Sequence, residues 1–164
     1  MTMDPLTDRE IRASFVNCSK GEASRLHVPR DLAGRPWADL DYLGWRDPQS
    51  RTRGHLVLPY DGRLVGAVLR APESGVGARR SMCSLCLTVQ SGGVALWVAP
   101  RAGKAGKQGH SVGTYVCANL ACSLTVRGKL RTDSPGMFET LTTEQRVARL
   151  ETNLRSFVAR VLRD

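Results

Sequence analysis

Four cysteines constrain this chain more than anything else in it. They fall as Cys83-x2-Cys86, a gap of 30 residues, then Cys117-x4-Cys122. A two-residue spacing lets one tight turn aim both sulfurs at a single point. The wider second pair suits a turn running into a helix N-terminus, whose dipole favours a thiolate. Four thiolates are a donor set for tetrahedral zinc, and with no position left for water such a site is structural, not catalytic. In a small module that one ion supplies much of the folding energy. Two alternatives share the pattern. One is a four-cysteine iron–sulfur cluster, which no other feature asks for. The other is two unrelated pairs, one of them a redox dithiol. Cys18, the fifth cysteine, lies on an apolar helical face and reads as a small core residue.

The N-terminus shows no basic stretch followed by an apolar run, so no export signal is expected and reduced thiols or metal are favoured over disulfides. The longest apolar run, Val94 to Pro100, is far shorter than a membrane span. The expectation is a cytoplasmic protein with no membrane partner.

Charge is unevenly placed. The formal net charge is +9, yet no Asp or Glu occurs from Ser74 to Thr132. That segment holds Arg79, Arg80, Arg101, Lys104, Lys107, Arg127, Lys129 and Arg131, eight of the 24 basic residues. An acid-free basic segment that coincides with the cysteines points to a polyanionic partner; the plainer reading is a solvated positive face.

The local signals predict an α+β chain. Thr7-Asp-Arg-Glu10 fits a capping box, opening a helix from residue 8 to about 19, and a second short helix is expected over Glu22 to His27. Residues 37–54, with Trp37, Tyr42 and Trp45, read as an ordered irregular loop. His55 to Tyr60 and Arg63 to Ala71 are β-type runs joined at Asp61-Gly62, a strong hairpin signal. Further strands are expected over Gly93 to Ala99 and Val112 to Val116. The glycine-rich stretch from Arg101 to His110 reads as a mobile loop. A short helix near Cys117 to Cys122 should end by Gly128. A last helix opens at a second capping box, Thr142-Thr-Glu-Gln145. It carries Val147, Leu150, Leu154, Phe157, Val158, Val161 and Leu162 on one face, a stripe most simply explained by core packing. The organisation expected is an N-terminal helical segment over 1–36, a β-rich zinc-finger domain over 37–132, and a C-terminal helix over 133–164 packed on that domain.

At these residues the chain resembles the treble-clef zinc-finger domain at the C-terminus of elongation-factor-G-binding proteins, the FusB/FBP family. The resemblance rests on Cys83-x2-Cys86, Gly113-Thr-Tyr-Val-Cys117, Cys117-x4-Cys122, the stretch Asp41-Tyr-Leu-Gly-Trp-Arg-Asp-Pro48 and the hairpin Leu56 to Leu69. It covers about residues 5–130. It implies a zinc-stabilised treble-clef fold and a non-enzymatic translation factor. FusB-type members bind elongation factor G and help it leave stalled ribosomes, which gives fusidic acid resistance. Other members are taken to act on ribosomes without a resistance role; for this chain, factor release, ribosome rescue or hibernation are the expected alternatives. The resistance proteins carry a long N-terminal helical domain, where one or two short helices are expected here.

A ribosome as partner gives the basic residues a role. Lys and Arg on glycine loops suit rRNA phosphate, because backbone contacts need charge more than fixed geometry. Arg101, Lys104 and Lys107, followed by His110, are the leading contact candidates. Arg79 and Arg80 abut the first cysteine pair, and Arg127, Lys129 and Arg131 follow the second, so the metal is expected to gather the three clusters. Tyr115 either stacks on a base or packs inside; Trp97 reads as core. A zinc-responsive DNA-binding regulator is the alternative, weakened because the long gap offers no recognition helix. An enzyme is disfavoured: His27, His55 and His110 sit in no catalytic motif, and HExxH, GxSxG and a Walker loop are absent.

Overall fold

In the computed structural model the described residues are 2–73, 81–89, 92–130 and 140–163. Arg79, Arg80 and Arg131 lie outside them. The elements are α1 (Asp8–Ala13), α2 (Lys20–Arg25), β1 (Leu43–Arg46), β2 (Arg53–Tyr60), β3 (Arg63–Arg70), β4 (Val94–Pro100), α3 (Gly103–Lys107), β5 (Ser111–Cys117), α4 (Cys122–Val126) and α5 (Thr143–Leu162). The strands form one antiparallel sheet in the order β1-β2-β3-β4-β5.

Period-two alternation splits the sheet into two apolar faces. Leu56 and Leu58 of β2, with Val65, Ala67 and Leu69 of β3, join Trp97, the four clustered cysteines, and Leu150, Leu154, Phe157, Val158 and Val161 of α5. Val57, pointing the other way, joins Ile11, Trp37, Leu43 and Trp45. The stripe on α5 is therefore core packing, as its spacing suggests. Both capping boxes form. Thr7 Oγ1 accepts from the Glu10 amide at 3.1 Å, and Thr142 Oγ1 from the Gln145 amide at 3.2 Å. Asp61 and Gly62 turn the β2–β3 hairpin with φ of 48° and 83°, the geometry of a type I′ turn.

Three segments depart from the sequence expectations. Helix α1 stops at Ala13, well short of residue 19. Ser14 Oγ donates back to the Ile11 carbonyl at 2.6 Å. The chain then straightens so that Ser14 and Val16 bond the backbone of Gly66, and Phe15 bridges to β3. Asn17 extends this seam: its side chain pairs with the backbone of Val68 and reaches the Pro100 carbonyl at 3.0 Å. Strand-like bonds to a neighbour outcompete two more helical turns.

Residues 37–54 are not an irregular loop throughout. They contain a 3-10 turn, Trp37–Asp39, and the edge strand β1, with Leu43 and Trp45 facing the second core.

The glycine-rich stretch is not a mobile loop either. It closes through Arg101 N to His110 O at 2.9 Å and encloses α3. It docks on the end of α5, where Ala102 N donates to Val161 O at 2.8 Å and Arg101 Nη1 to Arg160 O at 2.6 Å. Gly106 is required for this closure, since a Cβ there would collide with the Arg101 carbonyl. Glycine serves close backbone approach here, not freedom.

Candidate zinc centre and its surroundings

The four cysteines come from two places. Cys83 and Cys86 flank a tight turn after β3, Cys117 ends β5, and Cys122 opens α4. Each is fully buried. Their sulfurs all lie within 4.8 Å of one another. Cys83 Sγ is 3.7 Å from Cys122 Sγ, and Cys86 Sγ is 3.5 Å from Cys117 Sγ. Zinc–sulfur bonds of about 2.3 Å in a tetrahedron place sulfurs roughly 3.8 Å apart, so the donor set fits the ion. Cys18 is apart from this cluster.

Local geometry prepares the sulfurs for a cation. The amides of Leu85 and Cys86 point at Cys83 Sγ at 3.3 and 3.4 Å, donors that favour the thiolate. The Thr88 hydroxyl lies 2.8 Å from Cys86 Sγ. Without metal, the sulfurs must share protons. Hydrogen bonds from Cys117 and Cys122 hold the Cys83 thiol far below its ordinary range. Hydrogen bonds with Cys117, Cys83 and Cys86, then burial, push Cys122 up. A divalent cation replaces those protons and lets all four ionise.

Both turns carry backbone strain. Leu87, just after Cys86, and Leu120, between Cys117 and Cys122, adopt φ of 54° and 55°, a left-handed conformation unfavourable for a leucine. Leu120 is held there by packing: it is 1% exposed and sits against Gly44 and Gly54 of the sheet.

The centre is braced from three elements. The Ser84 amide donates to Tyr115 O at 2.8 Å, tying the first turn to β5. Asn153 Nδ2 of α5 donates to Leu85 O at 3.0 Å. Tyr42 Oη accepts from the Cys122 amide at 3.4 Å; burial first, then the adjacent Cys122 side chain, raises that phenol well above its usual range. Sequence reasoning missed Asn153 and Tyr42 as supports of the zinc site. Only the Asp41 to Pro48 stretch of the resemblance hinted at Tyr42, and nothing local marks Asn153.

The predicted contact residues separate. Lys104, Lys107 and His110 are exposed on and beside α3. Arg101 is half-buried with its guanidinium on the Arg160 carbonyl, so Arg160, exposed on α5, joins this face; its distance in sequence hid it. Tyr115 is half-buried against the zinc-side core. Lys129 is exposed and pairs with Asp39 at 2.6 Å. Arg127, expected on the polyanion face, is committed inward to Asp41, because a buried carboxylate takes the nearest guanidinium. With Arg79, Arg80 and Arg131 outside the described residues, the gathering of three clusters around the metal has no described counterpart. No described helix is long and apolar enough to cross a membrane.

A family model for the FBP C-terminal treble-clef zinc-finger matches residues 10–161. No curated protein sequence matches. Among solved structures, that of the fusidic acid resistance protein FusC is similar, with a TM-score of 0.60 at 15% identity. The likeness covers 97% of this chain and 60% of that one, so the chain spans less than two thirds of that protein's length. At that identity the likeness speaks to the fold. Together with the sulfur cluster, these matches identify an α+β treble clef built on one structural zinc.

Proposed function

The chain belongs to the FBP C-terminal treble-clef zinc-finger family, and on that premise we propose that it is a non-enzymatic translation factor that binds elongation factor G, the ribosome, or both. The observation that carries this reading is the family match across residues 10–161, which spans the zinc centre and α5 alike. In this reading zinc and Asn153 hold the finger rigid. Lys104, Lys107 and His110, with Arg101 and Arg160 behind them, meet rRNA phosphate or an acidic protein surface. Tyr115 and Lys129 flank the finger, and Arg79, Arg80 and Arg131 add charge from neighbouring stretches of sequence. The protein would act in the cytoplasm by altering factor release, ribosome rescue or hibernation.

The test is sedimentation of zinc-loaded protein with ribosomes through a sucrose cushion, at low and high salt, with and without elongation factor G. Pelleting with ribosomes alone that salt weakens supports direct rRNA contact. Pelleting or release that depends on elongation factor G supports that protein as the partner. Protein that stays in the supernatant throughout overturns the reading.

A further inference from the structure

The sheet face opposite the zinc carries a cleft of about 730 Å³ between α2 and strands β2 and β3. Its floor has an unusual charge arrangement. Arg53 of β2 stands directly opposite Arg70 of β3 in the antiparallel register, and both are exposed and line the cleft. Like charges placed directly across a ladder repel, and among the described residues neither arginine has a carboxylate partner. Arg25 and Arg30 line the same cleft from the helical side. Two of its acids are already engaged. Asp8 holds Arg12 at 2.7 Å, and Asp47 Oδ1 accepts from the Gln49 amide at 2.8 Å. The third is Glu22, so five arginines, Arg12, Arg25, Arg30, Arg53 and Arg70, face three acids and positive charge is in surplus.

A second, independent observation lies two residues along β2. His55, on the same strand face as Arg53, also lines the cleft and is only 4% exposed. Its Nδ1 is buried and has no hydrogen-bond partner. Its ring is fixed by stacking on Trp45 at 4.9 Å and by an edge contact with Phe15 at 5.9 Å. A rigid buried polar atom without a partner is uncommon in a native fold and asks for one.

We propose that this cleft binds a phosphorylated small molecule of nucleotide size. The phosphate sits between Arg53 and Arg70, where planar guanidiniums match its oxygens in paired hydrogen bonds. Arg25 and Arg30 close on it from the opposite wall, and the uncharged part of the ligand lies along the cleft floor beside His55. The volume falls within the range of small-molecule sites. This site is separate from the zinc centre, on the other face of the sheet, and does not depend on the ribosome reading.

The test follows backbone amides of the zinc-loaded full chain by NMR during titration with inorganic phosphate, and separately with AMP and with GMP. The expected result is saturable shifts at Arg53, His55 and Arg70, with at least one nucleotide binding tenfold or more tighter than phosphate. Arg53→Gln and Arg70→Gln, both at exposed positions, should each weaken binding at least tenfold. Arg70→Gln should also raise the melting temperature without anion, because it removes the repulsion, and should lose the anion-induced rise that the natural chain shows. Shifts absent from β2 and β3, nucleotides no tighter than phosphate, or unchanged affinity in Arg70→Gln would each overturn the proposal.

Discussion

Arg127 holds Asp41 in a two-point ion pair across 86 residues of sequence, Nη1 to Oδ2 at 2.8 Å and Nη2 to Oδ1 at 3.0 Å. The Asp41 side chain is 1% exposed and that of Arg127 12%. The Asp41 amide also donates to Ser123 Oγ at 2.9 Å, and Arg127 Nη1 to the Ser123 carbonyl at 2.9 Å. The lead-in to β1 is thereby fastened to α4, the helix that opens with the zinc ligand Cys122. Arg127→Ala should cost about 3–5 kcal/mol, since it strands a buried carboxylate. Asp41→Leu with Arg127→Met should recover much of that loss. Urea denaturation checks both; an Arg127→Ala chain as stable as the natural one would refute the pairing.

Zinc removal should be drastic. Structural zinc contributes about 10–16 kcal/mol of apparent binding energy in finger peptides, against a typical whole-domain stability of about 5–15 kcal/mol. A strong chelator should therefore abolish the cooperative thermal transition and the near-UV signal of buried Trp97. A metallochromic indicator should count one zinc released per chain, and Cys117→Ser should behave like the chelated protein.

His55 should make stability depend on pH. Burial pushes its pKa down to about 4, with Asp47 opposing and Arg53 and His27 adding to the shift. The unfolded imidazole takes a proton near pH 6.5, while the folded one stays neutral to about pH 4. Between these values the unfolded state binds more protons, so stability present above pH 6.5 is lost as pH falls toward 4. The loss amounts to about 3 kcal/mol at most. Thiolate protonation weakens zinc in the same range, so the natural chain must be compared with His55→Gln at matched zinc. The variant should show the shallower slope; identical slopes would rule the histidine out.

Gly106→Ala should undock α3, because the added methyl meets the Arg101 carbonyl. The expected cost is about 1–3 kcal/mol. Faster amide exchange should appear at Ala102 and His110. Gly34→Ala, where the added carbon meets nothing, is the control and should change little.

Lys104→Glu with Lys107→Glu should lower ribosome pelleting at low salt while leaving the melting temperature within about 0.5 kcal/mol equivalent, as surface changes usually do. Unchanged pelleting would move the contact away from α3.

The sequence alone determined the zinc ligands, both capping boxes, the Asp61-Gly62 hairpin and the apolar stripe of α5, and its resemblance at the cysteine pairs, residues 41–48 and the hairpin pointed to the family. Each is written in a few neighbouring residues or in one repeating period, so local chemistry suffices to read it. Tertiary structure decided the rest. Residues 43–46 became an edge strand because β2 offered a partner, not because of their own composition. The glycine stretch became docked structure because α5 supplied two carbonyls near its C-terminus. Arg127 turned inward because Asp41, far off in sequence, is buried beside α4. The opposition of Arg53 and Arg70 follows from the register of the hairpin and from helices that leave that part of the sheet open. These outcomes depend on which distant group the fold brings within bonding distance, and burial makes that group's demand for a partner outweigh local preference.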